Sequence, residues 1–202
     1  MTVTAEKTTG ASFSDGQDVA GEYSIDSAHS RLGFSARHAM VTKVRGSFGE
    51  FTGEGIFDTE DPSESSVKLT IEVASITTGN EMRDTHLRSN DFLSATEFPQ
   101  ITFASTKVTA DESLNLTVVG DLTLRGVTRS IEIPFEFNGA AIDPYGNHRI
   151  GFEGRAKVNR SDFGVTWNGA LETGGLLVSE EVGLEFDISA IKKVAEVEAG
   201  AA

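Results

Sequence analysis

Short runs of alternating hydrophobic and polar residues recur along most of the chain, each bounded by Gly, Pro, Asp, Asn or Ser. The clearest run places Ile131, Ile133, Phe135 and Phe137 on one face. Alternation with a period of two is typical of a strand with one buried and one exposed face. Seven or eight such runs lie between residues 21 and 194, and the short turns between them predict neighbouring strands that pair antiparallel.

Glycine interrupts the second run, residues 44 to 58, at positions 46, 49, 53 and 55. Glycine inside a strand marks a bend or bulge, and such bends supply the curvature that closes a sheet. We therefore predict an all-β fold, an antiparallel barrel of about eight strands, although a two-sheet sandwich would show the same alternation. Residues 79 to 93 predict one inserted helix, and residues 159 to 165 predict a short helical turn.

Both ends of the chain, residues 1 to 20 and 195 to 202, are rich in small and polar residues without apolar periodicity. They predict two disordered tails around a single barrel domain of residues 21 to 194. The first twenty residues lack the apolar core of a secretory signal, and no later run reaches the roughly 18 apolar residues of a spanning helix. A cytoplasmic location is therefore expected.

The composition excludes several classes of function. The chain has no cysteine, which excludes disulfides, thiolate metal sites and cysteine nucleophiles. Its formal net charge of -14 argues against nucleic acid as a partner, because affinity for phosphate backbones comes largely from Lys and Arg. The same charge disfavours docking on anionic membranes, so any membrane contact is expected to be transient.

The predicted inward faces consist almost entirely of Phe, Leu, Ile and Val, and the aromatic residues comprise 13 Phe, one Trp and two Tyr. Such a lining suits a hydrocarbon ligand better than a sugar or a nucleotide, but a plain packed core would give the same pattern. The candidate ligand-binding residues on these faces are Phe34, His38, Met40, Phe103, Phe135, Phe137, Phe152 and Phe186.

Polar candidates lie at two places. Alternation points His38 inward, where it needs a hydrogen-bond partner such as a ligand head group or a nearby backbone carbonyl. The predicted helix carries Arg83, Asp84, His86 and Arg88, which could meet a phosphate or quinone oxygen at the barrel mouth or could only form helical ion pairs. A metal site at Asp84 and His86 would need His38 or His148 from distant strands to converge on it, and the short motif is weak, so neither a metal nor another cofactor is expected.

No catalytic constellation is evident. The sequence contains no G-x-S-x-G, no H-E-x-x-H and no glycine-rich phosphate loop followed by Lys. Neighbouring acidic residues such as Glu180 and Glu181 would face opposite sides of a strand and could not share a substrate. The residues therefore predict that the protein is not an enzyme.

Several segments together resemble the YceI family of polyisoprenoid-binding, lipocalin-like proteins, from about Gly21 to Lys192. They are YSIDSAHSRLGFSARH at 23 to 38, VRGSFGEFTG at 44 to 53, RDTHLRSNDFLSATEFPQITF at 83 to 103, GDLTLRGVTRSI at 120 to 131 and NRSDFGV at 159 to 165. The resemblance implies an eight-stranded antiparallel barrel, a helix after the third or fourth strand, and an elongated apolar pore that holds an isoprenoid chain.

This resemblance favours a pore over a packed core, and it predicts that the chain binds, stores or carries a long isoprenoid lipid, either a polyprenyl chain or an isoprenoid quinone. Many relatives look secreted into the periplasm, whereas the absence of a signal peptide here favours an intracellular isoprenoid. The family offers no agreed catalytic residues. Two alternatives stay open: an enzyme acting on an isoprenoid or another small apolar substrate, and a stress-response interaction module with a closed core. A homodimer also stays open.

Overall fold

The computed structural model describes residues 19–172 and 174–194. The predicted tails lie outside these residues, except for positions 19 and 20. Val19 is buried, and its carbonyl oxygen accepts a hydrogen bond of 2.8 Å from the hydroxyl of Tyr23. The folded unit therefore begins earlier than the predicted boundary at residue 21, because Val19 completes the packing at one end of the barrel.

Strands make up most of the described chain, and eleven segments form one sheet. They are β1 (Gly21–Ile25), β2 (Arg31–His38), β3 (Thr42–Phe48), β4 (Phe51–Phe57), β5 (Ser66–Glu72), β6 (Ile76–Thr77), β7 (Gln100–Ala110), β8 (Leu116–Leu124), β9 (Val127–Ile142), β10 (His148–Asn159) and β11 (Val178–Lys192). One helix, α1 (Glu81–Arg88), and four short 3-10 turns, Ser27–His29, Pro62–Glu64, Val73–Ser75 and Arg160–Phe163, complete the described elements.

The eleven segments occupy eight strand positions in a closed barrel. Three long strands are each interrupted once: β1 and β2 by a 3-10 turn, β3 and β4 at Gly49 and Glu50, and β5 and β6 by a second 3-10 turn. All neighbours pair antiparallel, and β1 pairs with both β4 and β11, which closes the sheet. The predicted eight-stranded antiparallel barrel is therefore confirmed.

The connections between antiparallel strands alternate between the two ends of the barrel. Residues 39–41, 78–99, 125–126, 160–172 and 174–177 lie at one end, which we call the roof end. Residues 58–65, 111–115 and 143–147 lie at the opposite end, which we call the floor end, together with the beginning of β1 and the end of β11. Both predicted helical pieces are therefore at the roof end.

Helix α1 is shorter than the predicted range of 79 to 93. Its first turn is capped by Asn80, whose side-chain oxygen accepts from the backbone N–H of Arg83 at 3.0 Å. The helix ends at Arg88, where the backbone N–H of Ser89 bonds back to the carbonyl of His86. The following residues turn across the barrel instead of continuing the helix, with Ser94 in the left-handed region at φ 52°.

The floor end is closed by packed apolar side chains. This cluster consists of Val19, Tyr23, Phe57, Leu114, Ile150, Phe152 and Ala190. A second cluster surrounds the middle of the barrel, with Leu32, Leu69, Ile101, Phe103 and Ile133 among its buried members. None of the helices in the described ranges is long and apolar enough to cross a membrane.

Candidate functional site

A cavity of about 300 Å³ lies inside the barrel, between the floor cluster and the roof-end connections. All eleven strand segments contribute to its wall, and almost all of the lining side chains are hydrocarbon. Among the described lining residues, only Glu54 and Arg160 carry a charge. A cavity of this volume and polarity falls within the range of sites that hold apolar small molecules.

The accessibility of the inward-facing side chains distinguishes this cavity from a packed core. Phe34, Phe135, Leu184 and Phe186 all line the cavity, yet each is only half-buried. An inward side chain in a close-packed core would be almost completely covered by its neighbours. Their remaining exposed surface therefore faces the interior space of the barrel.

Glycine residues beneath three aromatic rings widen this space. A Cβ atom built on Gly154 would lie 2.5 Å from two ring carbons of Phe135, so the ring covers the glycine. The same arrangement occurs in three pairs, Phe34 with Gly46, Phe103 with Gly120 and Phe135 with Gly154. Because glycine has no side chain, each ring lies against the barrel wall rather than projecting across the interior.

Five of the eight predicted ligand-binding residues line the cavity: Phe34, Phe103, Phe135, Phe152 and Phe186. Their contact with a ligand stays a prediction. Phe137 faces inward as alternation requires, but it packs in the floor cluster against Phe57 and Phe152, with ring centroids 6.1 and 5.1 Å apart, and does not line the cavity.

The inward placement of His38 and Met40 is wrong. His38 is the last residue of β2 and is exposed, because the strand has passed the rim of the barrel at that point. Met40 lies in the turn beyond it, at φ 61°, and is 59% exposed. Alternation predicts an inward side chain only while the strand is part of the barrel wall.

The first two polar candidates on α1 fix the start of the helix. Asp84 is buried and accepts hydrogen bonds from the backbone N–H of Thr78, at 2.9 Å, and from the hydroxyls of Thr77 and Thr78. Arg83 donates to the hydroxyl and carbonyl oxygens of Thr78, at 2.7 and 3.0 Å. Neither residue lines the cavity, so the structure does not support their assignment as head-group ligands.

His86 and Arg88 also point away from the cavity. The Nε2 atom of His86 lies 2.9 Å from a carboxylate oxygen of Asp91, and its ring packs edge-on against Phe92 and Trp167. Arg88 donates to a backbone carbonyl of the 3-10 turn before β6 and to the glutamate that begins α1. The predicted helical ion pair between Asp84 and Arg88 does not form, but Arg88 pairs with the first residue of α1, and all four side chains contact groups of the protein outside the cavity.

The roof over the cavity is formed instead by apolar residues of two connections, Leu87, Phe92, Leu93, Phe163 and Val165. Arg125 joins these two connections. Its guanidinium donates to the carbonyl oxygens of Asn90, at 2.9 Å, and of Phe92 and Gly164, both at 3.0 Å. Two carbonyls of one connection and one of the other thus share one cation, which fixes the roof above the cavity.

Arg160 is the one cation on the cavity wall among the described residues, and we did not predict it from the sequence. It is 5% exposed and donates to the carbonyls of Val165, Trp167 and Ser179, at 2.8 to 3.0 Å, and to a carboxylate oxygen of Glu180 at 3.0 Å. The NRSDFGV segment was expected only to form a turn. The only signal in the sequence was an arginine directly after the predicted seventh strand, and its burial follows from contacts that the sequence does not show.

A polar network near the floor end stabilises the wall. Arg149 donates to Asp26 at 2.6 Å and to Asp143 at 2.7 Å. The hydrogen bond from Arg149 lowers the pKa of Asp26, and hydrogen bonds from Asn147 and Arg149 lower the pKa of Asp143 well below its usual value. Both carboxylates are therefore ionised in the folded protein at neutral pH.

A model of the YceI-like domain family matches residues 23–190. The chain belongs to this family. A UPF0312 protein from Staphylococcus aureus (strain N315) is 39% identical to this YceI-like chain over 175 residues, which cover 86% of this chain and 98% of the relative.

Solved structures agree with the YceI-like fold. BcnA from Burkholderia cenocepacia has a TM-score of 0.72 and 25% identity, over 82% of this chain and 98% of its own. The Campylobacter jejuni YceI protein has a TM-score of 0.67 and 29% identity, over 78% of this chain and 90% of its own. A polyisoprenoid binding domain from Saccharophagus degradans shares the fold with a TM-score of 0.64 and 17% identity, over 85% of this chain and 98% of its own.

The interior of this YceI-like barrel mainly offers a hydrocarbon surface against which an apolar ligand can be buried. No group of three or more His, Asp or Glu side chains within residues 19–172 and 174–194 could hold a metal ion. The carboxylate of Glu54 bonds to Lys193 at 2.9 Å, and the guanidinium of Arg160 bonds to protein acceptors. These two charged groups are thus already occupied within the protein.

Proposed function

We propose that this YceI-like barrel binds one long isoprenoid lipid in its cavity and stores or carries it without changing it chemically. The observation that carries the proposal is the cavity of about 300 Å³, whose wall is almost entirely hydrocarbon. The polyisoprenoid binding domain with the same fold supports the choice of an isoprenoid over other apolar lipids. A polyprenyl chain and an isoprenoid quinone both meet these requirements.

Energetics favour a ligand that fills this space. An unfilled apolar cavity leaves its lining side chains without van der Waals partners on one side, so apolar groups that fill this cavity of about 300 Å³ favour the folded barrel. Each methylene that a lipid buries contributes about 0.8 kcal/mol to binding. A bound prenyl chain should therefore stabilise the barrel strongly as well as bind tightly.

We place the tail of the lipid along Phe34, Phe103, Phe135 and Phe186. The polar head is proposed to lie at the roof end, near Arg160, because the floor end is closed by packed side chains. This position replaces the expected head-group site at His38 and α1.

The enzyme alternative is not favoured, because the two charged groups on the described wall already have protein partners. The interaction module with a closed core is not favoured either, because a cavity lies between the side chains of opposite walls of the barrel. The cytoplasmic location and the homodimer stay predictions. Lipid exchange with membranes is proposed to occur in brief contacts.

Titration of delipidated protein with a C20 prenyl alcohol tests this proposal, with the straight-chain C20 alcohol measured in parallel. We expect saturation at one prenyl alcohol per chain and a rise in the thermal unfolding midpoint, because the ligand binds only the folded state. If the straight-chain C20 alcohol binds as tightly as the prenyl alcohol, the cavity is a site for lipids in general and not for isoprenoids. No binding of either alcohol would refute the proposal.

Ala36→Phe provides a variant that occupies the cavity, since Ala36 lies on its wall. Ala104→Phe is the matched control, because Ala104 is exposed on the outer face of β7. The first variant should lose prenyl alcohol binding while the second keeps it. Equal behaviour of the two variants would show that the ligand does not use the barrel interior.

A further inference from the structure

The hairpin formed by β2 and β3 is basic in an otherwise acidic protein. The chain has a net charge of -14, yet residues 27 to 49 contain no Asp or Glu. Arg37, Lys43 and Arg45 are all exposed on this hairpin, and His38 is exposed beside them. We call residues 37–45 the basic hairpin.

Cross-strand pairing concentrates this charge on one face. Arg37 lies directly opposite Lys43, and Arg45 follows two residues later on the same outward face. Like charges directly opposite each other destabilise a sheet. None of the three cations forms an ion pair within the residues that the structure describes. The fold therefore carries a repulsive arrangement that an external anion would relieve.

The nearest acidic side chains on the adjacent strand are already paired. Glu180 and Glu181 lie in the irregular part of β11, beside the end of β2. Glu180 bonds to Arg160 at 3.0 Å, and Glu181 bonds to Lys157 at 2.9 Å. They reduce the local positive potential but leave the three hairpin cations without a direct partner.

The tip of the basic hairpin is apolar and exposed. Met40 is 59% exposed and Val41 is 78% exposed. Ala39 and Met40 both have positive φ, 49° and 61°, and the backbone N–H of Val41 bonds to the carbonyl of His38 at 3.1 Å. A two-residue hairpin turn with positive φ at both positions usually contains Asn and Gly. Ala39 and Met40 therefore hold a strained backbone conformation, and the side chains of the turn project outward.

This tip stands at the roof end. The backbone N–H of Ala39 donates to the carbonyl of Leu177 at 2.7 Å, and the neighbouring Leu176 is 44% exposed. Arg160, Phe163 and Val165, from the same roof connection, line the cavity. The exposed apolar residues therefore lie beside the end of the barrel where the lipid head is proposed.

The opposite end of the barrel is acidic. The floor-end connections 58–65, 111–115 and 143–147 contain no Lys or Arg, and they carry Asp58, Glu60, Asp61, Glu64, Asp111, Glu112 and Asp143. The roof connections carry six acidic residues against four arginines, whereas the floor-end connections carry seven acidic residues and no Lys or Arg. An anionic surface would therefore repel the floor end more strongly than the roof end and attract the basic hairpin, which sets an orientation.

We propose that the basic hairpin docks on the surface of an anionic lipid bilayer, with Met40 and Val41 inserted among the head groups and the roof end facing the membrane. Exposed apolar residues flanked by Lys and Arg are the combination that binds such interfaces. The use of this docking for lipid exchange rests on the proposed function, whereas the docking itself does not. The overall charge of the protein keeps the contact reversible.

Sedimentation with vesicles of phosphatidylcholine, with and without phosphatidylserine, tests the proposal. The wild type should bind only the anionic vesicles, and less at higher salt. Each surface cation contributes about five-fold to partitioning, so the triple variant Arg37→Gln/Lys43→Gln/Arg45→Gln should bind about a hundred-fold more weakly. Absence of binding by the wild type, or unchanged binding by the triple variant, would overturn the proposal.

Two further variants separate this docking from general charge effects. Lys68→Gln/Lys107→Gln/Arg155→Gln removes the same charge from other exposed strand positions and should retain binding within a few-fold. Met40→Ser/Val41→Ser should weaken vesicle binding but not binding to soluble heparin. If the Met40 and Val41 substitutions leave vesicle binding unchanged, the hairpin is a site for polyanions rather than for a bilayer.

The same variants distinguish failure of docking from failure of lipid binding. Each should unfold at a temperature no lower than the wild type, and each should keep wild-type affinity for the soluble prenyl alcohol, because the altered residues do not line the cavity. Loss of prenyl alcohol binding in the hairpin variants would contradict the separation of the two surfaces. If the wild type binds anionic vesicles but no prenyl alcohol, the docking proposal is supported and the proposed function is refuted.

Discussion

Replacing Gly154 by alanine should narrow the cavity without unfolding the barrel. The new Cβ atom would lie 2.5 Å from Cδ1 and Cε1 of Phe135 and 3.1 Å from Cγ. Ordinary carbon contacts are about 3.5 to 4.0 Å, so the ring must move by roughly 1 Å. The wall lies behind the ring and the cavity in front of it, which leaves the cavity as the direction of movement.

The expected effects on stability and on binding differ. Alanine in a strand is favoured over glycine by about 0.5 to 1 kcal/mol, and displacing a side chain from its preferred rotamer costs about 0.5 to 1.5 kcal/mol. The free energy of unfolding of the lipid-free variant should therefore stay within about 1 kcal/mol of the wild type. The displaced ring takes the space of roughly one methylene, about 0.8 kcal/mol, so prenyl alcohol affinity should fall about four-fold.

Gly120→Ala is the comparison for this experiment. Its Cβ would meet the ring of Phe103 and also the backbone oxygen of Ala104 at 2.6 Å, and the backbone cannot move aside as a side chain can. This variant should lose about 1 to 3 kcal/mol of stability. Urea unfolding and prenyl alcohol titration measure both quantities. An equal loss of stability in Gly154→Ala, with affinity unchanged, would show that Phe135 packs in a solid core.

Three other predictions concern the arginines. Arg125→Ala should speed release of prenyl alcohol several-fold in a stopped-flow assay, because the roof loses three charged hydrogen bonds, whereas Arg129→Ala on the same hairpin should not. Arg160→Gln should lower the free energy of unfolding by about 2 to 4 kcal/mol, because three carbonyl oxygens lose their hydrogen-bond donor. Glu180→Gln should lower it by less than about 1 kcal/mol, because the carboxylate of Glu180 is exposed. Because the pKa values of the two carboxylates beside Arg149 are lowered, their ionised forms stabilise the fold. This contribution is complete above the ordinary aspartate pKa of 3.8 and is lost progressively as the pH falls from 3.8 towards the lowered pKa values of the folded protein. Urea midpoints between pH 7 and pH 2 should therefore fall less steeply in Arg149→Gln than in the wild type, and parallel curves would contradict the assignment.

Alternation predicted the strands and their inward faces, and the glycines of the second run favoured a closed barrel over a two-sheet sandwich. The run around Phe135 identified its inward face, and the glycines of the second run marked the interruption at Gly49 that splits one strand into β3 and β4. Both helical segments were also predicted, although α1 ends at Arg88. Helix ends depend on capping and on the packing of the following loop, which periodicity does not report.

The cavity and its polar groups required the structure. Alternation assigns a face to each residue, but it does not report where the strand leaves the barrel, which is why His38 was misplaced. Titratable residues of α1 attracted attention because they are dense in sequence, whereas Arg160 is isolated in sequence and buried in space. The exposed Met40 was assigned to the interior because an apolar residue at a strand end has the same pattern in either position.

Native mass spectrometry of protein purified without detergent tests the central claim most directly. We expect one bound lipid per chain, which is released on denaturation and is identified as an isoprenoid in an organic extract. Ala36→Phe should carry markedly less of the lipid than Ala104→Phe prepared in parallel. Protein that is repeatedly free of lipid, and that takes up no prenyl alcohol when it is offered, would contradict the assignment of this barrel as an isoprenoid carrier.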